Sequence, residues 1–243
     1  MERVYTPVIA FARVAFRALD THIKVVGGEH VPRSGPVVLA SNHVSYLDFI
    51  FAGWGARPSG RLVRFMAKEE VFNHRISGPL MRGMKHIPVD RDAGSNSYRE
   101  ALARLKAGEV VGVFPEATIS RSFTVKEIKS GAIRMASATK APLVPMAVWG
   151  GQRMWTKDRP KELTKRHVPI LVYIGEPLHP QRGEDANAAA EELRRRMQDL
   201  LDRAQRDYPD SPSGPDDSWW QPAHLGGSAP EPAEALRLDG PVG

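Results

Sequence analysis

An α/β fold, a layered sheet of short strands with flanking helices, is predicted by three features of this 243-residue chain. Short apolar runs alternate with helical patterns through its middle, as expected of strands covered by helices. Its length suits one such domain, and 42% hydrophobic residues are enough to fill a core. The alternation stops near both ends. An amphipathic N-terminal helix over residues 1–20 and a disordered C-terminal tail over residues 209–243 are therefore expected around a domain spanning 21–208.

At 100° per residue, Glu2, Arg3, Thr6, Arg13, Arg17 and Asp20 fall on one arc of the first helix. Val4, Tyr5, Val8, Phe11, Ala12, Ala15, Phe16 and Leu19 fall opposite. Arginines on the polar face suit a helix lying on an anionic membrane surface; packing against its own domain is the equal alternative. Val37 to Ala40, Leu62 to Met66, Ile87 to Val89, Val110 to Phe114, Leu143 to Trp149 and Ile170 to Ile174 read as strands. Leu47 to Trp54 opens a helix. Ser97 and Glu100 form a capping box for another, with Tyr98, Ala101, Leu102 and Leu105 on one face and Gly108 as its stop. Further helices cover Gly131 to Thr139 and Ala186 to Asp207. From Pro209 on, Pro, Gly, Ser and Asp dominate and periodicity is lost, which predicts disorder. Trp219-Trp220 is the one apolar spot there and is expected to be idle.

Charge divides the chain. From Pro209 on there are six acids and one base, a net of −5 against +6 overall, so the first 208 residues carry +11. Such a body suits an anionic partner: nucleic acid, an anionic bilayer or a phosphorylated substrate. Nucleic acid is disfavoured by the lack of any recognisable motif or aromatic-basic interleaving. With no cysteine, disulfides and thiol catalysis are excluded. No run reaches the ~18 uncharged apolar residues of a spanning helix, and no signal peptide is read. The expected location is the cytoplasmic face of a membrane, held peripherally.

Four segments could carry chemistry. Asn42-His43-Val44-Ser45-Tyr46-Leu47-Asp48 follows a buried strand. A strand-to-helix corner would expose His43 at a sheet end, where α/β folds commonly place their sites. Asp48 could turn back, accept from one ring nitrogen and leave the other as a base. No third ligand for a metal stands at a sensible spacing, and no Gly-x-Ser-x-Gly elbow is present. What remains is a His-Asp dyad that deprotonates a substrate hydroxyl. The second segment, Gly83 to Arg91, delivers an arginine after a short strand. The third, Phe114-Pro115-Glu116-Ala117-Thr118, sets a carboxylate and a hydroxyl at a strand end. The fourth, Leu143 to Val148, is a strand containing Pro145, a residue that usually marks an edge or a bulge.

In order, these segments resemble the glycerolipid acyltransferase family, whose best-known members are the 1-acylglycerol-3-phosphate acyltransferases. The family looks like Asn-His-x-Ser-x-x-Asp, an Arg-bearing strand end, Phe-Pro-Glu-Gly-Thr, and a Val-Pro strand. The resemblance implies acyl transfer from acyl-CoA or acyl carrier protein to a hydroxyl of a lysophospholipid, most simply lysophosphatidic acid, with no metal or redox cofactor. A glycolipid, an amino lipid or another lysophospholipid is the alternative acceptor, and a catalytically silent lipid-binding protein the alternative to an enzyme. His43 and Asp48 would be catalytic. Arg91 would bind phosphate, with Lys68 as a point charge beside it or merely an exposed helix residue. Glu116, Thr118, Ser45 and Asn42 complete the expected substrate-binding set. Ala117 stands where the family has Gly, and would be strained if that backbone needs a positive φ. Arg121 stands three residues after Thr118, where the family often has an arginine directly after it, so Arg121 is left out of the ligand set.

Overall fold

The structure is a computed structural model describing residues 2–90 and 94–239. Its elements are α1 (Tyr5–Ala18), β1 (Ile23–Val26), β2 (Val37–Ser41), α2 (Asp48–Gly55), β3 (Val63–Lys68), α3 (Glu69–Asn73), α4 (Ser77–Gly83), β4 (Ile87–Val89), α5 (Gly94–Lys106), β5 (Val110–Val113), α6 (Gly131–Thr139), β6 (Leu143–Trp149), β7 (Ile170–Ile174), α7 (Ala186–Arg206) and α8 (Pro232–Asp239). The strands form a single seven-stranded sheet in the order β1-β7-β6-β2-β5-β3-β4. The five strands from β6 to β4 run parallel, and β7 is antiparallel to β6. The C-terminal ends of β2, β3, β4, β5 and β6 therefore share one edge. From β2 the chain goes on to build β3, β4 and β5 on one side and β6 on the other, so β2 is where the winding reverses, the usual place for a crevice.

Burial on both faces explains the unbroken apolar strands. Along β2, Val38 and Ala40 pack under α5, α6 and α7, while Val37 and Leu39 pack toward α2. β6 and β7 alternate in the same way. Pro145 lies where the β6–β7 ladder is offset: Met146 pairs with Ile174, and the next bridge joins Leu143 to Leu178. One more residue lies on the β7 side of that gap, so the missing amide falls at a bulge.

Two expectations need correction, and the first helix keeps features of both of its readings. Helix α5 starts at Gly94, so Ser97 lies inside its first turn and is no cap, and Glu100 pairs with Arg104 at 3.2 Å. Helix α1 is bound mainly to the body. Tyr5 donates to the Val63 carbonyl at 2.9 Å, and Phe16 packs on Phe51 and Trp54. Most of the apolar arc is accounted for by that packing, yet Phe11 and Val14 stay 75% and 66% exposed. Among the described residues no helix is long and apolar enough to cross a membrane.

The other correction concerns the tail. Residues 209–239 pack on the domain through α8 and two 3-10 turns. Trp220 is 2% exposed and joins the core under α7. Tyr208 meets its ring edge-on at 5.6 Å, and the Arg153 guanidinium lies over it at 4.6 Å. Arg153 also pairs with Asp210. Composition predicts disorder because it counts apolar residues; here one indole and a few ion pairs suffice, because the body supplies the matching surface. Trp220→Ala should therefore lower the free energy of unfolding by ~3 kcal/mol or more. Chemical denaturation followed by circular dichroism tests this, and an unchanged midpoint would show that the tail does not pack.

Candidate active site

The corner after β2 is built almost entirely by hydrogen bonds to backbone. Asn42 is fully buried: its side chain donates to the Val148 carbonyl at 3.1 Å and accepts from the Val148 amide at 2.7 Å. That double bond pins the end of β2 to β6. The chain then turns, and Asp48, the first residue of α2, reaches back. Its Oδ2 accepts from the amides of Val44 and Ser45, both at 2.7 Å, and from His43 Nδ1 at 3.1 Å. The five-residue spacing thus has a physical basis: the carboxylate caps the turn that carries the histidine. Because a carboxylate only accepts, Nδ1 holds the ring hydrogen and Nε2 keeps its lone pair.

The imidazole stacks on Phe114 at 4.4 Å between ring centres, and Phe114 on Phe65 at 5.8 Å. Asp48 is fully buried, and burial pushes its carboxyl up, while His43 and the two amides pull it down. The ion pair that would form when His43 takes a proton offsets that burial.

Glu116 braces the corner from β5. One carboxyl oxygen accepts from the His43 amide at 2.8 Å, the other from the Lys126 amide at 2.9 Å. Burial pushes this carboxyl up to about 8, against those amides and the Lys126 charge. With each oxygen accepting from an amide, the group acts as a hydrogen-bonding bracket. The Ser120 amide donates to the His43 carbonyl at 2.7 Å. Ser45, fully buried, has its hydroxyl 2.7 Å from the Trp155 carbonyl and 3.0 Å from that of Gly151, and it accepts from the Leu47 amide. The Thr156 hydroxyl donates to the Val44 carbonyl at 2.7 Å. The substrate-binding roles expected of Asn42 and Ser45 are corrected accordingly: both point inward and hold backbone, so they position His43.

The remaining expected residues divide. Thr118 is half-buried and accepts from Lys157 Nζ at 2.6 Å. Lys68 ends β3 on the site's edge of the sheet and is exposed. Arg91 lies outside the described residues. Arg121, Lys126 and Lys157 were absent from the expected set, yet all three pair with one carboxylate, Asp239 of α8. Burial raises that carboxyl, but hydrogen bonds from Lys126 and Lys157 outweigh it and hold the group below its usual range. Among the described residues no group of three or more His, Asp or Glu could hold a metal ion.

Ala117 has φ +59°, the left-handed conformation the family's Gly would allow. An L-residue there costs ~1–2 kcal/mol, and Gly would return ~0.4–1 kcal/mol of unfolded-chain entropy. Ala117→Gly should thus stabilise the protein by ~0.5–1 kcal/mol, read as a raised melting temperature. A lowered one would mean that the Ala117 methyl packs better than its backbone conformation costs.

Known proteins resemble this chain over more than half of its length. The acyltransferase family model matches residues 22–149. The 1-acyl-sn-glycerol-3-phosphate acyltransferase of Bacillus subtilis is 36% identical over 158 residues, which is 65% of this chain and 74% of that protein. The enzyme of the same name from Limnanthes douglasii is 32% identical over 157 residues, 61% of this chain and 54% of its own length. In the crystal structure of the 1-acyl-sn-glycerophosphate acyltransferase from Thermotoga maritima, the same fold recurs with a TM-score of 0.68 at 23% identity, covering 84% of this chain and 81% of that one. The chain belongs to the acyltransferase family.

Proposed function

We propose that this acyltransferase moves a fatty acyl group from an acyl thioester, acyl-CoA or acyl carrier protein, to the free hydroxyl of a 1-acylglycerol 3-phosphate. The product would be phosphatidic acid, a precursor of phospholipids. The observation that carries the reading is the His43 Nδ1 to Asp48 Oδ2 hydrogen bond at the sheet edge. The names of the Bacillus and Limnanthes relatives support the acceptor.

The chemistry needs no covalent enzyme intermediate. His43 Nε2 takes the hydroxyl proton as the oxygen attacks the thioester carbonyl. The tetrahedral intermediate then collapses, the carbon–sulfur bond breaks, and the imidazolium returns the proton to the leaving thiolate. Asp48 holds the tautomer and balances the imidazolium charge. A general base of this kind is worth ~10² to 10⁴ in rate. Neither a metal nor a redox cofactor is required by these steps. Arg91 is proposed as a phosphate ligand, because a planar guanidinium can make two bonds to phosphate.

One assay tests both roles. His43→Ala should lose at least ~10²-fold in kcat while melting normally, and near-normal turnover would end this mechanism. Arg91→Ala should raise KM for lysophosphatidic acid much more than for monoacylglycerol. An equal loss on both acceptors would remove Arg91 from the phosphate.

We further propose that the protein works peripherally on an anionic membrane. Phe11 and Val14 support this, being exposed on a helix that also carries Arg13 and Arg17 at its surface. Because Tyr5 and Phe16 tie α1 to the body, truncation would confuse binding with stability. The pair Phe11→Asp and Val14→Asp is cleaner. It should cut co-sedimentation with phosphatidylglycerol vesicles several-fold without changing the melting temperature; undiminished binding would place the contact elsewhere.

A further inference from the structure

Three cations meet beside the site. Arg121, Lys126 and Lys157 each have a side chain no more than about one-fifth exposed, and each contacts the Asp239 carboxylate, itself 3% exposed. Lys157 reaches Asp239 Oδ1 at 2.9 Å and also donates to Thr118. Arg121 keeps a second partner, Asp158, at 2.7 Å.

All three cations are tied to the corner by a hydrogen bond that the residue itself or the one before it makes. Arg121 follows Ser120, whose amide donates to the His43 carbonyl. The Lys126 amide donates to Glu116, which also accepts from the His43 amide. Lys157 follows Thr156, whose hydroxyl holds the Val44 carbonyl. The cluster is therefore part of the site's own framework. Its anion is not. Asp239 ends α8, an eight-residue helix in which Ala235 is buried while Leu236 and Leu238 are largely exposed.

Three cations so placed repel one another unless an anion joins them. A carboxylate brings one charge, whereas a phosphomonoester brings ~1.5 to 2 charges and three acceptor oxygens. The same pocket would therefore prefer phosphate, and the two anions exclude each other.

We propose that α8 is an inhibitory strap: the Asp239 carboxylate stands in for a phosphomonoester in the cluster of Arg121, Lys126 and Lys157, and must leave before a phosphate-bearing acceptor binds. This rests on the acceptor proposed above. It assigns to the C-terminal segment a regulatory role in the site.

The test uses the full chain and two readouts. Calorimetric titration with glycerol 3-phosphate, a soluble phosphomonoester with no acyl chain, measures the pocket directly. Asp239→Asn keeps the shape and removes the charge, and should bind it about tenfold more tightly than wild type, within the range of ordinary coupling between competing ligands. Asp239→Ser should do the same if the Asn variant misfolds, and Asp239→Glu should stay near wild type. In the acyl-transfer assay, KM for lysophosphatidic acid should fall by a similar factor at unchanged kcat. Equal or weaker binding by well-folded Asn and Ser variants would overturn the strap, as would a Glu variant that binds as tightly as they do. If tighter binding is seen but no protein transfers acyl groups, the strap stands and the proposed reaction falls. If wild type is active but Asn and Ser gain nothing, the reverse holds.

Discussion

One carboxylate oxygen organises the corner after β2. Asp48 Oδ2 accepts from two successive amides and from the imidazole, so the same atom shapes the turn and sets the ring. Such a group is costly to bury, because a carboxylate transferred out of water loses far more than one neutral hydrogen bond returns. Three donors converging on Oδ2 offset part of that cost, and two of them are main-chain amides that cannot swing away, while burial still leaves the carboxyl raised. The consequence for the imidazole is orientation with little freedom to lose: His43 is gripped at Nδ1, at its amide by Glu116 and at its carbonyl by Ser120.

The sheet supplies the rest of the geometry. Parallel strands bring their C-terminal ends to one edge, so segments far apart in the chain meet there without any direct sequence signal. Asn42 and Val148 are 106 residues apart, yet their double hydrogen bond joins β2 to β6. Glu116 and His43 are 73 apart. The corner is thus held by three strand ends together, and loosening any one should be felt at the imidazole.

Much of this is legible in the residues. β4, β6, β7 and α6 fall where apolar runs and helical faces place them, because strands buried on both sides are continuously apolar. β1 is not legible: four residues at a sheet edge, one of them Lys24, leave too little pattern. Nor are α3 and α4, whose five and seven residues hardly span two helical turns. His43, Asp48 and Glu116 are legible as a group, though Glu116 serves as a bracket where a substrate contact was expected. The C-terminal segment is misread because disorder is inferred from composition, while its order comes from Arg153, Tyr208 and the cation cluster. Arg121 and Asp239 lie 118 residues apart, and no local periodicity records such a pairing.

The loop after β6 has a different kind of specificity. Ser45 and Thr156 complete the corner through carbonyls, and Ser45 takes those of Gly151 and Trp155. Every residue type owns a carbonyl, so the two Ser45 contacts test the path of the loop's main chain and ignore its side chains, while Thr156 adds a hydroxyl. Two glycines draw that path: Gly150 has φ +107° with the Pro169 carbonyl 2.1 Å from where a Cβ would stand, and a Cβ on Gly151 would press on Phe51 and Ser45. The loop is therefore a template written in torsion angles. Its lettering could drift widely between chains that share the same corner, with the positions of glycine and of the Thr156 hydroxyl as the surviving trace.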